Sequence, residues 1–156
     1  MRRDEYVEQV MQLTRSLYYV SSSILPVMQD REDAIQNSIV KGLQKCETLR
    51  DRDKFRGWIT RILINECYTI LRQKKRVVLA EEVPQPPPGE VDLALHDAVM
   101  SLPDRIRVPF TLQLEGYTAR EIAQSVGIPE GTAKTLIREA KLALRAALAD
   151  GEEVLA

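Results

Sequence analysis

Residues 118–140 read TAREIAQSVGIPEGTAKTLIREA, and the fold follows from how this stretch is punctuated. Thr118 with Glu121 three residues later has the form of a capping box, in which two otherwise unpaired amides at a helix start are satisfied reciprocally. Ile122, Ala123 and Val126 then line one face of a short helix. Gly127 supplies a turn, and Pro129 suits the first turn of a second helix, where its missing N–H is not needed. Along that second helix, Ala133, Leu136, Ile137, Ala140, Leu144 and Leu148 recur at three- and four-residue spacing, the mark of a buried stripe. Lys134, Arg138 and Lys141 fall off the stripe. Two helices joined by a glycine turn, the second one basic, describe a helix-turn-helix that lays its second helix in a DNA major groove.

Working outward, aromatics make up only 5% of the 156 residues while aliphatics are plentiful, which favours packed helices over a sheet sandwich. No run of 18 apolar residues exists, so no membrane insertion is expected. The opening MRRDEYVEQV lacks an apolar signal core, which places the chain in the cytoplasm. Cys46 and Cys67 stand in no C-x-x-C pattern and fall within helical apolar patterns, so they read as reduced core thiols.

Net charge is −1, but it is unevenly spread. Residues 1–76 hold 15 basic against 10 acidic side chains, and residues 77–103 hold none against 5. Residues 50–76 alone hold 9 basic against 3 acidic. For phosphate binding, such a local basic stretch outweighs the overall pI.

The segment VVLAEEVPQPPPGEVD at 77–92 divides the chain. Its prolines cannot continue a helix and favour an extended spacer. Sixteen extended residues reach up to ~50 Å at roughly 3.3 Å each. With the next helix the segment carries Glu81, Glu82, Glu90, Asp92 and Asp97, an acidic run suited to a basic channel. The expected fold is therefore all-α, with two small helical domains at 1–76 and 93–149, a Pro-rich acidic linker at 77–92 and a tail at 150–156.

In the first half, Val7, Val10, Met11, Leu17 and Tyr18 mark a helix ending near Ile24–Pro26. Asp30 is expected to cap a second, with Ala34, Ile35, Ile39, Leu43 and Cys46 inward. Gly42 inside it costs ~1 kcal/mol relative to Ala and hints at close helix contact. A third helix runs from about Lys54 to Arg76, burying Phe55, Ile59, Ile62, Leu63, Cys67, Ile70 and Leu71. After the linker, one helix spans Leu93 to Leu102. Ser101 with Asp104 suggests the start of the next, which Gly116 stops and Pro109 should kink. Domains this small bury only about 60% of their unfolded surface, so each gains from a larger partner.

No catalytic set is visible. His96 is the one histidine and sits in an acidic helix; there is no phosphate loop, nucleophile elbow or metal-ligand spacing, and no cofactor is expected. Asp30, Glu32 and Asp33 bunch where the helix macrodipole favours acids. The third helix is more telling. Lys54, Trp58, Arg61, Asn65, Tyr68 and Arg72 share one stripe. Arg and Lys meet phosphates there, while rings stack on bases and an amide hydrogen-bonds them, as a single nucleic-acid strand requires. Lys74, Lys75 and Arg76 extend its positive end.

These features together, DREDAIQNSIVKGLQ at 30–44, FRGWITRILINECYTILRQKKR at 55–76 and LPDRIRVPFTLQLEGYTAREIAQSVGIPEGTAKTLIREAKLALR at 102–145, resemble a bacterial RNA polymerase sigma factor. More narrowly it resembles the compact extracytoplasmic-function (ECF) type, which keeps only regions 2 and 4. The resemblance covers about residues 10–148. It implies a non-catalytic promoter-specificity subunit whose partners are core RNA polymerase, promoter DNA and commonly an anti-sigma factor. It also implies residue roles. Asp33, Gln36, Asn37, Val40 and Lys41 would grip the polymerase. Lys54, Arg56, Trp58, Arg61, Asn65, Tyr68, Arg72, Lys74 and Lys75 would meet the minus-ten element, with Asn65 lining a pocket for a flipped base. The loop at 47–54 would help set specificity. Thr132, Lys134, Thr135, Arg138 and Lys141 would meet the minus-thirty-five element, and the linker would lie near the RNA exit path.

Four positions depart from the family pattern. Asn37 replaces a usual acid, Ile59 stands where housekeeping members have a second aromatic, and Leu136 and Glu139 occupy positions that are often Arg. The alternative reading is a stand-alone helix-turn-helix regulator dimerising on an operator. It requires a dimer element, for which no heptad seam is present, and it leaves the stripe at 54–72 unexplained.

Overall fold

A computed structural model describes residues 1–76 and 92–155, with side chains through Lys74 and from Asp92 to Ala149. Seven α-helices are present among them: α1 (Arg3–Ser22), α2 (Met28–Lys45), α3 (Phe55–Arg76), α4 (Leu93–Met100), α5 (Asp104–Leu114), α6 (Ala119–Val126) and α7 (Glu130–Leu155). Single 3-10 turns at Cys46–Thr48 and Arg52–Lys54 join α2 to α3, in the loop expected to set specificity. No strand occurs among the described residues, and the architecture is two helical domains. Residues 77–91 of the linker, with Glu81, Glu82 and Glu90, lie outside the described residues, as do the side chains of Lys75 and Arg76.

In the first domain α1, α2 and α3 pack on one another. Tyr6, Val10, Leu17 and Val20 meet Ala34, Ile35, Phe55, Ile59, Leu63 and Cys67, all buried. Val7 and Met11 do not join them. They are 49% and 65% exposed, because Tyr6 and Val10 hold the inward turn of α1. The Tyr6 ring meets Phe55 edge-on at 5.9 Å, and its hydroxyl donates to the Ile39 carbonyl at 2.6 Å. A Cβ at Gly42 would run into that hydroxyl and lie 2.9 Å from Ile59 Cδ1, so the glycine is where α2 comes closest to its neighbours.

The helix ends explain several differences from the periodicity. Ser21, Ser22 and Ser23 donate their hydroxyls to the carbonyls of Tyr18, Tyr19 and Val20 as α1 stops. Asp30 is not the cap of α2. The helix starts at Met28 after an extended Val27, and Asp30 is buried and paired with Lys74 at 2.5 Å. Ser101 closes α4 and donates to Ala98 O at 2.6 Å, while α5 begins at Asp104 with Pro103 before it. Pro109 lies inside α5, where its missing N–H cannot satisfy the carbonyl one turn earlier.

Gly116 and Gly127 take positive φ, 85° and 79°, which a side chain would oppose. Between them the expected capping box is formed: Glu121 N donates to Thr118 Oγ1 at 3.2 Å and Thr118 N to Glu121 Oε1 at 2.9 Å. On α7, Ala133, Leu136, Ile137, Ala140 and Leu144 are buried against α5 and α6, whereas Leu148 is 41% exposed. The helix nevertheless continues to Leu155, beyond the tail boundary read at 150.

The two domains are in contact through α3 and α6. A further tie comes from Arg107, whose Nε donates to Ser23 O at 2.8 Å across the domain boundary while Nη1 reaches Leu102 O at 2.8 Å.

Candidate nucleic-acid interface

Three surfaces collect the residues singled out in the sequence. The first lies on α2, where Asp33, Gln36, Asn37, Val40 and Lys41 recur at helical spacing and are all exposed. Val40, 55% exposed, puts an aliphatic side chain in the middle of a polar strip. Asp33 accepts from Gln29 at 3.0 Å, and Lys41 is ion-paired with Glu66 of α3. Asp33, Gln36, Asn37, Ile70, Gln73 and Lys74 line an open groove between α2 and α3.

The second surface is the stripe on α3. Lys54, Arg61, Asn65 and Arg72 are exposed. Trp58 is half-buried, its ring tilted 35° to Phe55 at 6.2 Å between centroids, so one edge belongs to the core and the rest to the surface. Tyr68 is half-buried too, and burial pushes its phenol pKa up. Asn65 makes no side-chain hydrogen bond among the described residues, which leaves both amide donor and acceptor for a ligand. Two of the expected residues face elsewhere. Lys74 turns in to Asp30. Arg56 lies over the Tyr117 ring at 3.9 Å, and its Nη2 donates to Glu115 O at 2.7 Å. Its charge is thus engaged by the second domain rather than presented along the stripe.

The third surface is the outer face of α7. Thr132, Lys134, Thr135, Arg138 and Lys141 are all exposed, and Gln113 and Ala119 join Lys134, Arg138 and Lys141 along one groove. Thr135 Oγ1 donates back to Gly131 O at 3.1 Å, and Lys134 stands 3.8 Å from Glu130. Arg138 has no such partner among the described residues. With the buried face of the same helix held by α5 and α6, this basic face is presented on a rigid rod, the arrangement that major-groove reading needs.

Comparison with known proteins then places the molecule. Residues 9–77 match the family model of sigma-70 region 2, and residues 92–144 that of sigma-70 region 4. The chain is 31% identical over 136 residues to RNA polymerase sigma factor SigV of Bacillus subtilis (strain 168), covering 82% of each. It is 26% identical over 145 residues to the ECF sigma-E factor of Haemophilus influenzae, covering 79% of this chain and 74% of the relative. The chain belongs to the ECF sigma factors. The fold agrees with that of the sigma factor RpoE from Bartonella quintana, solved with the anti-sigma factor NepR, at a TM-score of 0.79 and 22% identity, over 93% of this chain and 97% of that one.

This sigma factor is accordingly a promoter-specificity subunit of RNA polymerase that acts in transcription initiation. Among the described residues no helix is long and apolar enough to cross a membrane. The departures from the family pattern also acquire physical reasons. Ile59 is fully buried, so that position faces the core of the first domain rather than a base. Leu136 is 7% exposed and packs inside the second domain. Glu139 is paired with Arg105 of α5 at 3.0 Å, so its carboxylate is held at the edge of the basic face.

Sequence periodicity did not reveal the residues that join the two domains. Gly57, Thr60, Tyr117 and Gln124 carry no charge pattern, and a cross-domain contact leaves no local spacing to read. Arg31 was likewise invisible as a structural residue: fully buried, it donates from Nε to Leu25 O at 2.7 Å and closes the α1–α2 turn.

Proposed function

We propose that the sigma factor works through three separable surfaces, each on one helix. The strip Asp33, Gln36, Asn37, Val40 and Lys41 on α2 docks on core polymerase. The stripe on α3 engages the minus-ten element, with Arg61 and Arg72 on phosphates, Trp58 and Tyr68 offering rings, and Asn65 receiving the edge of an extruded base. The face of α7 carrying Thr132, Lys134, Thr135, Arg138 and Lys141 reads the minus-thirty-five element. In this reading residues 1–76 form the polymerase and minus-ten module, 77–92 the linker and 93–149 the minus-thirty-five module.

The observation that supports it best is the unpartnered amide of Asn65, exposed midway along a helix whose neighbouring turns present Arg61 and Tyr68. Asn offers a paired donor and acceptor to a base edge, which a purely structural surface position does not require. The sigma factor is read as a cytoplasmic protein without catalysis or cofactor of its own. An anti-sigma factor, such as NepR for the Bartonella protein, is its expected antagonist.

Run-off transcription with core polymerase over a randomised promoter library tests this reading. Selection of two conserved blocks at a fixed separation is expected. Tight binding to a palindromic duplex by the protein alone, as a dimer, would instead favour the operator-binding alternative.

A further inference from the structure

One cleft of the molecule shares no residue with the three surfaces on α2, α3 and α7. Three other helices each turn a face toward it: α1 presents Arg15 and Tyr19, α4 presents Leu95 and Val99, and α5 presents Thr111 and Glu115. Within each pair the spacing is four residues, so every helix contributes a single stripe. The cleft is about 360 Å³, at the lower end of the roughly 300–1,000 Å³ that small-molecule sites occupy. That is room for a molecule the size of an amino acid rather than a nucleotide cofactor.

Part of the apolar wall faces water. Leu95 and Leu114 are 39% and 55% exposed at the cleft, and an apolar body seated between them removes that surface from solvent. The polar groups are more telling. In the helices of this chain a threonine hydroxyl returns to the carbonyl one turn back, as Thr14 does to Val10 O at 3.2 Å and Thr69 to Asn65 O at 2.9 Å. Thr111 does not follow them. Its Oγ1 lines the cleft, is closed off from bulk solvent and has no partner among the described residues. Buried hydroxyls are normally hydrogen-bonded, so this one calls for a group supplied from outside the chain.

The charges select the ligand. Arg15 lies 5.7 Å from the centre of the Tyr19 ring and makes no hydrogen bond or ion pair among the described residues, so its fork of N–H donors is open. Glu115 lends its backbone carbonyl to Arg56, but its carboxylate holds no cation among the described residues. Asp92 adds a second carboxylate at the cleft and caps α4 by accepting from Leu95 N at 3.1 Å. A simple anion would meet Arg15 and also two carboxylates. A simple cation would leave Arg15 unanswered. A zwitterion answers both, with a charge-assisted hydrogen bond at each end.

We propose that this cleft binds a free amino acid with an apolar side chain. Arg15 takes the carboxylate and Glu115 the ammonium, Thr111 completes the polar contacts, and the side chain lies against Tyr19, Leu95 and Leu114. The inference goes beyond the promoter-reading assignment and does not rest on it, since no residue of the cleft belongs to the surfaces assigned to polymerase or DNA.

Isothermal titration calorimetry on the full chain tests it without polymerase or promoter DNA, so its outcome is separate from that of the promoter-reading assignment. The probes are L-phenylalanine, L-leucine and L-methionine, with 3-phenylpropanoate and 2-phenylethylamine as analogues that each carry one of the two charges. At least one amino acid should bind with a Kd of about 1 mM or tighter. Both analogues should bind more weakly than phenylalanine by roughly tenfold or more. Arg15→Gln should abolish the preference for phenylalanine over 2-phenylethylamine, and Glu115→Gln the preference over 3-phenylpropanoate, whereas a merely structural role would weaken all three compounds alike. Leu114→Lys, at an exposed position where folding is preserved, should abolish binding of all of them. Absence of binding by all three amino acids at about 10 mM would overturn the proposal. Binding that Arg15→Gln and Leu114→Lys both leave unchanged would overturn it as well.

Discussion

Lys41 and Glu66 form an ion pair across the α2–α3 contact, with the Glu66 side chain 10% exposed and Lys41 52% exposed. The asymmetry decides what each substitution does. Lys41→Met leaves a largely buried carboxylate without its partner, and a cost of about 1–3 kcal/mol is expected. Lys41→Met with Glu66→Met should recover part of that loss. Urea denaturation of the two single variants and the double one measures it. If Lys41→Met leaves stability unchanged but weakens holoenzyme assembly, Lys41 acts on polymerase and the pair is an exposed one of little worth.

Gly127→Ala should destabilise the second domain more than an ordinary surface change. The residue holds φ at 79°, where an L side chain costs about 1 kcal/mol or more, and its Cβ would collide with the Arg61 guanidinium. Thermal unfolding should shift down by several degrees, on the order of 4–8 °C per kcal/mol for a domain of this size. Arg61→Ala in the same chain should relieve only the collision. Full rescue by that second change would mean that the turn itself tolerates a side chain.

What the sequence made legible is local. The capping box at Thr118, the positive-φ turn at Gly127, the Gly42 crossing and the buried faces of α3 and α7 all depend on residues within a turn or two of one another, and spacing encodes such relations. Val7 and Met11, which help mark α1, and Leu148, on the α7 stripe, face outward, because a three- or four-residue repeat cannot tell which of two neighbouring stripes meets a partner. Arg56 and Lys74 read as DNA-facing although they turn to Tyr117 and Asp30, because charge on a basic helix looks the same in sequence whether it faces water or another element. Tyr117 against Thr60 required knowing that two domains separated by a Pro-rich segment touch, and no periodicity holds that information.

Alkaline stability should be set by two buried acids of the first domain. Burial pushes the Cys67 thiol up to about 12, with Glu66 adding to the shift, and pushes the Tyr6 phenol up to about 12 as well. In the unfolded chain these groups ionise near their ordinary values of 9.0 and 10.0. Above those values the folded state binds more protons than the unfolded one, so stability is fully present below about pH 9 and falls toward pH 12. Each group contributes a slope of up to about 1.4 kcal/mol per pH unit. Denaturant midpoints from pH 7 to 11 check this, and Cys67→Ala should flatten the early part of the decline. A midpoint that rises above pH 9 contradicts the assignment.

Asn65→Ala should damage promoter opening while sparing polymerase binding. The amide is exposed, so its removal leaves no buried group unsatisfied, and stability should change by less than about 0.5 kcal/mol. Base discrimination at one minus-ten position should drop by about 1–3 kcal/mol. Permanganate footprinting of the holoenzyme is the measurement. An intact bubble alongside failed assembly would move Asn65 from the DNA side to the polymerase side.

Arg138 and Lys141 stand three residues apart on the outer face of α7 and should behave differently. Arg138 is exposed, one residue before the Glu139–Arg105 pair, and its planar fork can take guanine O6 and N7 together in the major groove. Lys141, a further turn along, is a point charge on a long stem, suited to a phosphate of either strand. Arg138→Ala should therefore weaken binding by about 1–3 kcal/mol on promoters carrying its preferred base and little on others. Lys141→Ala should weaken binding evenly across sequences and reduce the salt slope by about one unit. Both effects are to be read on a promoter library at two salt concentrations, using holoenzyme. If Lys141→Ala changes base preference while Arg138→Ala changes only the salt slope, the reader is one turn nearer the C-terminus than Arg138, and the helix enters the groove more deeply along α7 than its first two turns.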